Sequence, residues 1–116
     1  SDESRGLGDV YKRQSEIRAL LEETQSLALT SQVSHRVGFD AKDHSLLIER
    51  KQSGSYAILQ KRPVEEEMTL EATRWPSFGP FGFAQSGTIL LDSPEFQTSI
   101  VVSSVGRIRQ TDLLKK

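Results

Sequence analysis

The sequence contains no cysteine in its 116 residues. That excludes disulfides, thiolate-bound zinc and a cysteine nucleophile, but it does not assign a compartment, since exported domains also lack cysteine. No run approaches the roughly eighteen apolar residues needed for a membrane-spanning helix. Histidine is scarce: His35 and His44 are the only two. They do not share a helical H-x-x-x-H spacing and have no thiol to join, so both are expected to be surface residues that hold no metal. No serine lies in a G-x-S-x-G elbow. Gly79, Gly82 and Gly87 sit among proline and aromatic residues rather than in a phosphate loop that opens a helix. With no catalytic set, no metal set and no cofactor motif, the expectation is an interaction protein and not an enzyme.

Strong charge is missing too. A formal net charge of −1 and a pI near 6.1 provide no overall attraction to nucleic acid or membrane, so any such binding must come from a local patch. What remains is an ordinary globular composition, 27% charged and 35% hydrophobic, in a length that suits one domain with one core.

From Ser15 onward Ile17, Leu20, Leu21, Thr24, Leu27 and Ala28 recur at three- and four-residue steps, with Glu16, Arg18, Glu22, Glu23 and Gln25 on the other face. This is an amphipathic helix reaching to about Thr30. Residues 34–40 and 45–52 read as strands joined by the polar turn 41–44. Ser53-Gly54 makes the next turn, and residues 56–60 form a third strand that Pro63 closes. A helix followed by a strand meander predicts an α+β fold, with the helix laid across antiparallel sheet. Glu65, Glu66 and Glu67 read as a solvated loop, and residues 68–73 as a strand. Residues 75–83 should wrap irregularly over the edge of the core, with Phe83 entering a strand. Residues 87–91 and 96–103 flank the turn-forming Asp92-Ser93-Pro94-Glu95 and should pair as the terminal hairpin.

The most distinctive stretch closes the chain. Ile100, Val101 and Val102 are β-branched and belong in a core strand. Gly106 then frees the backbone for a turn, and Arg107 and Arg109 follow on alternate residues. In extended geometry the two guanidinium groups share a face, with Ile108 opposite.

A helix, short strands, Gly87-Thr88-Ile89-Leu90-Leu91, then Ile100-Val101-Val102-Ser103 and a closing Gly106-Arg107-Ile108-Arg109 resemble the globular part of the GspH/FimT family of minor pseudopilins. The resemblance implies a pilin-like α+β domain over residues 15–110 and a short tail over 111–116. It implies a subunit that joins other minor pseudopilins at the tip of a periplasmic or cell-surface fibre, in type II secretion or a type IV pilus. It also implies attachment to the inner membrane through an apolar N-terminal helix that these residues do not include. An alternative role implied by the family is DNA contact during DNA uptake. The family's Gly-Arg-x-Arg tail is linked to that contact, and it maps onto Gly106, Arg107 and Arg109, with Lys115 and Lys116 adding charge beyond them. Binding of that kind would be weak and independent of sequence. Residues 1–14 are polar, and residues 5–14 resemble adaptor read-through at the ends of conceptual translations. They are expected to be a non-native or disordered leader outside the fold.

Overall fold

The computed structural model describes residues 2–116 in their backbone and 7–116 in their side chains. The apolar stripe of the helix runs further than the sequence reading placed it. Helix α1 (Asp2–Ser31) buries Val10, Ile17, Leu20, Leu21, Thr24 and Ala28, and Leu7 and Leu27 pack at its margins. The expectation that residues 1–14 stand outside the fold is therefore corrected for the helical residues. For Ser1 and the side chains of residues 2–6 it lies outside the described part. The cause is Gln14, a polar residue in the middle of the stripe. Its amide is 2% exposed and donates to Thr98 Oγ1 at 2.7 Å and to the Thr111 carbonyl at 3.1 Å. A buried amide whose hydrogen bonds are made avoids the desolvation penalty that would otherwise expel it from a core. The helix stops at Gln32, whose φ of 60° is left-handed and whose side chain donates back to the Leu29 carbonyl at 2.9 Å.

The meander follows as the alternation predicts: β1 (His35–Asp40), β2 (Ser45–Gln52) and β3 (Ser55–Pro63), paired antiparallel in order. In the first turn Asp40 Oδ1 accepts from the amides of Lys42 and Asp43. The Asp43 amide above all, then the Lys61 ammonium, holds the Asp40 carboxyl below its ordinary value. The remaining strands are β4 (Thr69–Ala72), β5 (Ser77–Phe78), β6 (Ala84–Gln85), β7 (Gly87–Asp92), β8 (Phe96–Val102), β9 (Ile108–Gln110) and β10 (Leu114–Lys115).

They form two antiparallel sheets, ordered β3-β2-β1-β5-β6 and β10-β8-β7-β4, with β9 also paired to β8. Helix α1 packs on β1 and β5 of the first sheet and on β8 and β9 of the second. The core lies beneath it, with Val37, Ile48 and Phe78 from one sheet and Ile89, Leu91, Ile100 and Val102 from the other. This is the expected α+β arrangement. At 1.5 Å per residue α1 is about 45 Å long, and it runs most of the molecule's 49 Å length. Among the described residues no helix is long and apolar enough to cross a membrane.

Three local expectations are corrected. The strand ending at Val102 is not the last, because β9 and β10 both return to its free edge. Phe83 stays outside, 69% exposed, and Phe78 takes the place in the core, because β5 and β6 turn back across residues 79–83 and leave the tip of that loop in solvent. His35 is buried rather than superficial. Its Nδ1–H donates to the Val33 carbonyl at 2.7 Å, which satisfies the ring inside the fold.

Candidate functional site

The closing motif begins in a hairpin that only glycine can complete. Ser103 accepts from the Gly106 amide through its carbonyl at 3.0 Å, and its own amide donates to the Arg107 carbonyl at 2.9 Å. Gly106 has a φ of +81°, and a Cβ there would lie 2.6 Å from Gln25 Nε2 and 2.8 Å from the Gly82 carbonyl oxygen. Gln25, on α1, donates to the Gly106 carbonyl at 2.7 Å. The helix therefore grips the turn from which the arginines emerge, a contact that no sequence pattern announced.

From this turn β9 runs back along β8, with Ile108 opposite Val102 and Arg109 opposite Val101. Val102 is buried and Ile108 packs against the core, so strand alternation sends Arg109 outward beside Val101. Arg107 and Arg109 are both exposed. Together with Val101 and Ser103 they line an open groove of about 210 Å³. The two arginines share a surface as the alternation predicted. Among the described residues no carboxylate lines this groove and neither arginine makes an ion pair.

Across Val101 and Ser103 the surface continues into a wider depression of about 550 Å³, bordered by Thr73, Arg74, Thr88 and Ser104 and again free of carboxylates. Arg74 is a third cation that sequence reasoning missed, since Arg-Trp-Pro carries no periodicity. It is set there by Gly87, where a Cβ would lie 2.1 Å from the Arg74 carbonyl oxygen. Arg74 also borders the Arg36–Glu49 pair, but that carboxylate is already engaged by Arg36 in a two-point contact at 3.1 Å and 3.1 Å.

The remaining neighbour is the loop 79–83. The Gly79 amide donates to the Phe83 carbonyl at 2.8 Å, and the Ala84 amide donates to the Ser104 carbonyl at 2.9 Å. Phe81 is 79% and Phe83 69% exposed, and Val105 in the adjoining turn is 67% exposed.

Lys115 and Lys116 do not extend this cationic surface, which corrects the expectation that they add charge beyond the arginines. Strand β10 pairs with Phe96 and Gln97, at the opposite end of β8 and roughly 17 Å from Val101 by strand rise. The Lys116 ammonium engages Asp92, and its amide donates to the Glu95 carbonyl at 2.8 Å. Among the described residues no His, Asp and Glu group is arranged to hold a metal ion. His44 instead donates through Nε2–H to the carbonyls of Glu65 and Met68.

A long helix seated across two antiparallel sheets, with a terminal hairpin closing the second sheet, is the pilin-like α+β fold. The chain is similar in structure to the type IV minor pilin FimU of Pseudomonas aeruginosa, with a TM-score of 0.74 at 17% identity over 92% of this chain and 91% of FimU. It is similar to the same degree to the minor pseudopilin EpsH of the Vibrio cholerae Type 2 Secretion System, with a TM-score of 0.74 at 13% identity over 88% of this chain and 95% of EpsH. A second crystal form of FimU gives a TM-score of 0.71 at 18% identity. No protein-family model and no curated protein sequence matches the chain. At these identities the likeness is one of fold, and it agrees with the resemblance to GspH/FimT minor pseudopilins.

Proposed function

We propose that the chain is a structural subunit of a pilus-like fibre, a minor pilin or pseudopilin whose partners are other minor pseudopilins and whose role is fibre-tip assembly, not catalysis. The observation that carries this reading is the helix-on-sheets architecture shared with FimU and EpsH over nearly the whole chain. In this reading the globular domain faces the periplasm or the cell surface, tethered to the inner membrane through an apolar helical segment as the family resemblance implies. Tyr11 and Leu29, exposed on the side of α1 away from the core, are available to neighbouring subunits. Sedimentation should find the isolated chain monomeric or weakly associating, with co-assembly when other minor pseudopilins are supplied. A tight homo-oligomer with no uptake into a mixed assembly counts against the fibre-tip role.

A second reading, contact with DNA, is favoured by one observation: Arg107 and Arg109 emerge from Gly106 onto an exposed groove without a carboxylate. Guanidinium forks bind phosphate oxygens in two-point contacts, independently of sequence. With two or three phosphates neutralised, the slope of log affinity against log salt should be roughly −2 to −3. Arg107→Gln combined with Arg109→Gln should abolish binding and leave the melting temperature within about a degree, because exposed arginines add little to folding. Absence of binding to long DNA, duplex and single-stranded alike, at about 50 mM salt, where phosphate contacts are strong, would remove this reading. So would a double variant that binds like the parent chain.

A further inference from the structure

Two phenylalanines stand largely in solvent at the tip of one loop, although a core of this size has room to bury aromatics and does bury Phe78 and Phe96. Their loop is not loose. It is closed by the Gly79 to Phe83 hydrogen bond, tied to Ser104 through the Ala84 amide, and held by Gln32, which donates to the Pro80 carbonyl at 3.1 Å. Gly82, between the two phenylalanines in sequence, has a φ of +94°, so the backbone turns there in a conformation that favours glycine. The Gly82 carbonyl abuts Gly106, the residue from which Arg107 and Arg109 issue. A rigid aromatic tip and an unpaired cationic groove thus meet at one backbone contact.

Exposed rings beside a groove that tracks phosphates form the arrangement by which proteins hold single strands: bases stack on the aromatics while arginines follow the backbone. Duplex DNA keeps its bases stacked on one another and offers the rings nothing. We propose that this end of the molecule binds single-stranded nucleic acid in preference to duplex, with Phe81 and Phe83 stacking on unpaired bases and Arg107, Arg109 and Arg74 contacting the phosphates. This rests on the DNA reading above and specifies the form of nucleic acid. Charge complementarity selects the occupant. The three guanidinium groups border two depressions without carboxylates, and a strand carrying one phosphate per base supplies both the anions and the flat apolar faces.

The test is fluorescence anisotropy of the full chain at low salt with two labelled probes, an oligothymidylate of about 20 nucleotides, longer than the roughly 4–16 nucleotides that comparable sites cover, and a duplex of matching length. The oligothymidylate should bind roughly tenfold tighter, the scale of a single base–aromatic stack. Phe81→Ala with Phe83→Ala should remove that preference while leaving duplex binding unchanged. Arg107→Gln with Arg109→Gln should weaken both probes. Phe81→Trp should retain the preference and show fluorescence quenching by the single strand, which a purely structural role for the loop would not produce. Equal affinity for the two probes, or single-strand binding indifferent to loss of both phenylalanines, overturns this inference and leaves the arginine–phosphate reading intact. If neither probe binds, both readings fall. Self-association of the chain that depends on Phe81 and Phe83, with no preference between the probes, assigns the patch to a protein contact and likewise overturns the inference.

Discussion

Leu21→Ala should lower the melting temperature by roughly 10 °C or more, the equivalent of about 2–5 kcal/mol in a domain of this size. Leu21 is 0% exposed and lies in the helix stripe beneath which both sheets meet. Truncation there removes apolar transfer energy and leaves a cavity that neither sheet can fill, because their strands are fixed by their own ladders. With total stability for such a domain on the order of 5–15 kcal/mol, the loss is a large fraction of the whole. Leu29→Ala is the matched control, since Leu29 lies on the same helix but is 44% exposed and should change the melting temperature little. A melting curve for Leu21→Ala that overlays the parent's would refute the assignment of this stripe to the core. Val10→Ala should follow Leu21 rather than Leu29, because Val10 is 1% exposed, and this extends the test to the segment the sequence reading had set aside.

Gly87→Ala should be nearly as damaging for the opposite reason. A Cβ at this position would lie 2.1 Å from the Arg74 carbonyl oxygen and 3.0 Å from its carbonyl carbon, and no rotamer change can relieve an overlap between a Cβ and backbone. Either β7 or the 73–75 segment must move. Gly87 pairs with Val102 and the next residue, Thr88, with Val101, so movement of β7 reaches β8 directly. Overpacking of this kind costs about 1–3 kcal/mol or more, several degrees in melting temperature. Gly54→Ala separates steric overlap from backbone strain: its φ is +85°, yet nothing lies within 4 Å of the added methyl. It should lose only the roughly 1–2 kcal/mol of a left-handed L-residue. Equal losses at the two glycines would show that contact with Arg74 is not the cause. Amide exchange at Thr73, whose N–H donates to the Thr88 carbonyl at 3.1 Å, and at Thr88, whose N–H donates to Thr73 Oγ1 at 3.1 Å, should quicken in Gly87→Ala alone.

Local pattern carried the sequence reading wherever one face of an element is buried. Val37 and Ile48 pair across β1 and β2, and the alternation of Thr98, Ile100 and Val102 gave β8 its facing. Reading failed where a polar residue occupies a buried position. Leu7, Val10, Gln14, Ile17, Leu21, Thr24 and Ala28 keep three- and four-residue steps throughout, but Gln14 breaks the apolar pattern, and its partners Thr98 and Thr111 are remote in sequence. The site divides in the same way. The outward pairing of Arg107 and Arg109 needs only strand alternation and was legible. Arg74 and Phe81 reach the same end of the molecule through the contacts Gly87–Arg74 and Gly82–Gly106, which are close approaches between distant backbones and leave no trace in local periodicity. The displacement of Lys115 and Lys116 has the same origin: β10 returns to the start of β8 rather than continuing past β9.

The hydrogen bonds of Gln14 also bear on the order of events in folding. Its amide is bonded to partners 84 and 97 residues further along the chain, so α1, which leaves a ribosome before β1–β10, is seated on strands that are synthesised long after it. Until Thr111 has emerged, the helix stripe has no complete floor and the buried amide has no complete set of acceptors. Contacts of such sequence separation carry a loop-closure entropy that must be met before they contribute, which slows the search and lengthens the time apolar surface stays uncovered. Packing of the domain is therefore completed late, and the apolar face of α1 stays uncovered until β8, β9 and Thr111 are in place.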